Sequence, residues 1–116
     1  MTALGAPAPP AVDAARIRRT YGAILGDPRI GAALTGDEQR AHLAGLLRGQ
    51  LRLLLPAVED RMPGMAGAFN RNAARYVLDE ARTVLDVPVR GALSADAVFD
   101  LAVLSRSLLV LHEYTA

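Results

Sequence analysis

Three side chains stand where chemistry would want them. Gln50 falls on an apolar helical stripe between Leu47 and Leu54. If buried, its carboxamide needs a hydrogen-bond partner, either a ligand or a neighbouring helix. The second reading, a polar group that fixes packing register or sits at an interface, carries more weight. Glu80 borders a stripe of Tyr76, Val77, Ala81 and Val84. An unpaired carboxylate beside that face would have a raised pKa and could act as general acid or base. Arg106 lies beside the apolar positions of the last helix, with Phe99, Ala102 and Leu109. An interhelical Glu80–Arg106 ion pair satisfies both groups. It is favoured over catalysis, because structural ion pairs also gather charge in partly buried places.

The remaining candidates are weaker. His42 and His112 are the two histidines and belong to no metal-ligand pattern. His112, near the end of the last helix, reads instead as a cation that complements the negative dipole end. Arg71, Arg75 and Arg82 alternate with Asp79 and Asp86 at the spacing of exposed intrahelical ion pairs. Arg16, Arg18 and Arg19 cluster near the start, and Arg48 and Arg52 further on. Converging arginine stripes could hold phosphate, but a solvated face is the usual reason for such patterns. Ser94, Ser105 and Ser107 have no identifiable base, and no glycine-rich nucleotide loop or serine elbow is present. No catalytic, cofactor-binding or metal-ligating residue is therefore assigned.

Helices must position these groups. Asp13 can cap a first helix to Leu25, with Ala14, Ile17, Tyr21, Ile24 and Leu25 inward. Gly26 and Pro28 stop it, with Gly26 suited to a left-handed terminal position. Thr35 and Glu38 form a capping box for a second helix, whose stripe is Leu43, Leu46, Leu47, Leu51, Leu54 and Val58. Pro56 predicts a kink before the helix ends near Arg61. A third helix spans about Met65 to Leu85, with Phe69, Ala73, Tyr76, Val77, Ala81, Val84 and Leu85 inward, and Val87-Pro88 ends it. Ser94 caps a fourth, which reaches about Tyr114 with Val98, Leu101, Leu104, Leu108 and Leu111 inward. Val103 and Val110 face the other way, so this helix is either central or at an interface. No segment patterns as a strand. The predicted fold is all-α, an up-down four-helix bundle over residues 12–116 behind a disordered Pro/Ala tail over 1–11.

Composition agrees. With 116 residues and no cysteine, one domain forms a core without disulfides. Every one of the 13 basic residues is arginine, set against 12 acidic ones. A net charge of +1 argues against generic nucleic-acid binding. The apolar runs are too short to span a bilayer and Met1–Pro10 is no secretory signal, so a soluble cytoplasmic protein is expected. At 52% hydrophobic residues, some apolar surface should remain after folding.

The blocks Leu47-Arg48-Gly49-Gln50-Leu51, Leu53-Leu54-Leu55-Pro56 and Val58-Glu59 resemble a family signature. So do Glu80-Ala81-Arg82, Leu104-Ser105-Arg106-Ser107-Leu108 and the Leu34-Thr35-Gly36 helix start. The family comprises small actinomycete proteins labelled "natural product biosynthesis protein", and the absence of lysine fits a GC-rich genome. The chain departs from it where Gln50 replaces a frequent His, where Tyr114-Thr115 replaces His-Tyr, and in lacking a Cys near His112. The resemblance implies an accessory role around specialised metabolism and carries no enzymatic activity. Gln50, Glu59, Tyr76, Glu80, Arg82 and Arg106 are thus the candidate polar positions, functional or structural.

Three functions follow as expectations. The first is a non-catalytic interaction protein that self-associates, for example as a dimer, or binds a partner protein through its last helix. The second is a small-ligand binder or minor enzyme with a pocket near Gln50, Tyr76, Glu80 and Arg106. The third is a nucleic-acid-associated regulator using the arginine stripes.

Overall fold

A computed structural model describes residues 12–26, 36–65, 67–87 and 94–114. Among these, four helices form and no strand does: α1 (Ala14–Leu25), α2 (Asp37–Arg61), α3 (Ala68–Asp86) and α4 (Ala95–Tyr114). The Pro/Ala tail, Thr35, Pro28 and Pro88 lie outside the described residues, as does the side chain of Phe69.

Helix starts follow local chemistry. Asp13 Oδ1 accepts the Arg16 amide at 3.1 Å, and Ser94 Oγ accepts the Ala97 amide at 3.1 Å. Each satisfies a donor that the first turn leaves without a partner. At α2 the N-cap is Gly36, which offers no side-chain acceptor, while Thr35 of the expected capping box lies outside the described residues. Gly26 remains right-handed (φ −88°) and is not in the left-handed conformation expected of it. Its amide returns to the Gly22 carbonyl at 2.8 Å, and a Cβ there would come within 2.7 Å of that oxygen. Gly67, before α3, does take a positive φ of 85°. That turn places the start of α3 at Ala68, three residues later than the sequence pattern suggests.

α2 runs unbroken through Pro56. Pro56 and Arg52, whose carbonyl it deprives of a donor, both lie on the exposed side, where water can substitute. A 3₁₀ turn over Met62–Gly64 closes this segment.

The four helices form a bundle in which α2 and α4 share the most extensive contact. α1 packs on both, chiefly on α4, and α3 packs on both from its own side. Leu47, Leu51, Leu54 and Val58 of α2 meet Val98, Leu101, Leu108 and Leu109 of α4 in one core, with Ile17 and Ile24 from α1. Arg61, ending α2, donates to the His112 carbonyl near the end of α4 at 2.7 Å. Arg18 in α1 pairs with Glu113. The C-terminal ends of α2 and α4 thus meet beside the first half of α1, as an up-down order requires.

α4 is the central helix. Leu101, Ala102, Ser105, Leu108 and Leu109 are all buried, a wider set than the single predicted stripe, while Leu104 and Leu111 are half-buried. Contact with three neighbours needs more than one apolar face. On α3 the inner face is Ala74, Leu78 and Ala81, flanked by half-buried Val77, Val84 and Leu85. Tyr76 and Ala73, predicted inward, are exposed.

Candidate functional site

Gln50 is the buried polar side chain the sequence pointed to. Its Nε2 donates to Thr20 Oγ1 at 3.0 Å, and the Thr20 hydroxyl donates to the Arg16 carbonyl at 2.9 Å. The one hydroxyl proton is therefore committed, so Thr20 can only accept from Gln50, and this fixes the amide orientation. Gln50 Oε1 is left enclosed without a partner. The chain ties α2 to α1 and fits the register-fixing reading.

Gln50 also lines an open groove of about 400 Å³ between α1 and α2. Asp13, Arg16 and Ile17 form one wall, while Gly45, Gly49 and Leu53 belong to the other. A second, shallower groove of about 280 Å³ lies between α3 and α4, with Ala73, Val77, Arg106, Val110 and Leu111 in its lining.

The other candidate residues separate into two groups. Glu59 and Arg82 come together at 2.8 Å across α2 and α3, and Arg82 also holds Asp79 at 2.9 Å. The hydrogen bond that Arg82 donates to Glu59 is the main cause that raises the Arg82 pKa further. Glu80 and Arg106, by contrast, do not pair: both are exposed, and the described residues hold no ion pair between them. Glu80 sits just beyond the inner face of α3 and is exposed to solvent. Tyr76, at 69% exposed, is not in the lining of the Gln50 groove.

The sequence reading missed a use for arginine. Arg48 donates to the carbonyls of Val84, Leu85 and Val87 at 2.9, 3.1 and 3.2 Å. It closes the C-terminal end of α3 from a different helix, where a cation also complements the dipole. Arg61 does the same for α4 at His112, and Arg71 holds the Met65 carbonyl at 3.2 Å. Arg61 is thus the cation at the end of α4. Burial, then the nearby Arg61 charge, lowers the His112 pKa, which works against the cation expected there. Nothing in the local sequence signals the Arg48 and Arg61 caps, because each is set by the approach of a distant helix.

Ser94 is engaged as a cap, Ser105 is fully buried, and Ser107 lines the α3–α4 groove. Among the described residues no cluster of three or more potential metal ligands occurs, and no helix is long and apolar enough to cross a membrane.

No curated protein and no solved structure matches the chain. A family model does match over residues 15–116, which include all but the first residue of the helical core. The chain belongs to the family of unknown function DUF6415.

Proposed function

We propose that the protein is a non-catalytic interaction module that pairs with a second copy of itself through the face where α3 and α4 meet. The observation that carries this is the apolar groove between those helices, rimmed by Val110 at 55% exposed. Tyr76 stands free on α3, one turn from Ala73 in the groove lining. In a two-fold pairing, each copy's Tyr76 can enter the other's groove, where Arg106 can stack on the ring. The nearby apolar side chains are otherwise left in water. The resemblance to actinomycete proteins labelled for natural product biosynthesis supports extending the proposal to an accessory role beside an enzyme of specialised metabolism. A nucleic-acid role has less support, because Arg48, Arg61, Arg71 and Arg82 are engaged within the fold.

Light scattering across a concentration series tests the pairing. The expected result is a mass of twice the 12.3 kDa chain, returning to one chain in Tyr76→Arg. A wild-type monomer throughout, or a dimer indifferent to Tyr76→Arg, would rule this interface out.

A further inference from the structure

The face where α3 and α4 meet carries one acid and one base that do not pair within the chain. On α3, Glu80 follows Tyr76 by four residues and Val77 by three, and precedes Val84 by four. That spacing sets the carboxylate in a ridge of otherwise uncharged side chains. On α4, Arg106 lies three residues after Val103 and four before Val110, the same arrangement with the opposite charge. Both are exposed, and neither forms an ion pair among the described residues. The arginines that do reach another helix are engaged there: Arg82 with Glu59, Arg18 with Glu113, and Arg48 and Arg61 with carbonyls. Arg106 lines the α3–α4 groove with Ala73 and Val77, and Glu80 stands one turn beyond Val77. An apolar partner laid over this face would strip both charges of water and replace none of it, which disfavours binding. The face therefore fits an occupant that presents a base to Glu80 and an acid to Arg106.

We infer, resting on the pairing through this face, that Glu80 of each copy is the ion-pair partner of Arg106 in the other. A second copy of the chain supplies both charges by its own composition. A two-fold contact is self-complementary, so one such pair implies its twin, and the two together fix the register of the copies. Tyr76 stands one turn from Glu80 on the same side of α3. A guanidinium whose plane stacks on the Tyr76 ring keeps its edge free to donate to the carboxylate. Like charges brought face to face disfavour every other register. Glu80 and Arg106 are thus complementary, as their residue types suggest, and the complement is met between chains.

The test is native mass spectrometry of the full chain as wild type, Glu80→Arg, Arg106→Glu, and an equimolar mixture of the two variants. Each variant alone opposes like charges twice, and its dimer Kd should rise at least about tenfold. In the mixture each variant supplies the charge the other lacks. A heterodimer should form at near wild-type affinity, resolved from both homodimers by its mass. A pair made within one chain predicts no such rescue, because each variant has already lost it. Single variants that dimerise as tightly as wild type, or a mixture without heterodimer, overturn the inference; loss of the dimer in Tyr76→Arg then still upholds the pairing itself. A wild type that stays monomeric overturns both. Should a charge reversal abolish the helical circular dichroism, Glu80→Gln replaces it. The wild-type dimer should then weaken with added salt and the Glu80→Gln dimer should not, and equal salt dependence overturns the inference.

Discussion

Ser105 lies in the middle of α4 with no exposed surface, and its hydroxyl has no hydrogen-bond partner. An enclosed, unsatisfied hydroxyl destabilises the fold, and alanine is a better helix former. Ser105→Ala should therefore raise stability by about 1 kcal/mol, read as a shift in urea midpoint at unchanged slope. A loss of that size would mean that the hydroxyl has a partner after all. His112 sets a pH dependence of definite sign. Its pKa in the folded protein lies below the ordinary 6.5, from burial first and the Arg61 charge second, with Glu113 opposing. The unfolded chain then binds the proton more readily. The neutral form's contribution is complete above pH about 6.5 and declines as pH falls below it. The melting temperature should fall from pH 7 towards pH 5, and His112→Gln should flatten that slope.

Caps show how elements are tied together. Asp13 and Ser94 were readable because an N-cap acts on its own helix within three residues. Arg48 was not, because its three acceptors, at the end of α3 and its cap, lie more than thirty residues away. Arg48→Met keeps much of the apolar stem and leaves those carbonyls without their donor. A loss of about 2 kcal/mol is expected, with faster hydrogen exchange confined to the last turn of α3. Uniform exchange across all helices would instead indicate a general packing defect. The inner face of α3 illustrates a related limit. Tyr76 and Ala81 both fit an apolar stripe, yet only Ala81 is buried. Small residues at Ala74 and Ala81 allow the neighbouring helices to approach, and the larger Tyr76 remains outside.

At the scale of the molecule, α4 decides the arrangement. Its apolar surface almost all round fitted either a central helix or an interface helix. The structure makes it central, packed on α1, α2 and α3, and leaves Val103 and Val110 uncovered. Those residues, with Tyr76, offer apolar surface to a second copy. The mass measurement for wild type and Tyr76→Arg therefore tests a property of the assembly.

The sequence by itself determined the four helices, most of their boundaries, the buried stripe of α2, the inward Ile17 and Ile24 of α1, and the polar intruder Gln50. These follow from residue spacing and capping, which are properties of one segment and its own backbone. Tertiary structure alone decided that Gln50 meets Thr20, that Glu59 rather than Glu80 holds an arginine, that Arg48 and Arg61 close other helices, and that two glycines leave a groove open. Each depends on the rotation and approach of helices distant in the chain, and a periodic pattern specifies a face without specifying which helix lies against it.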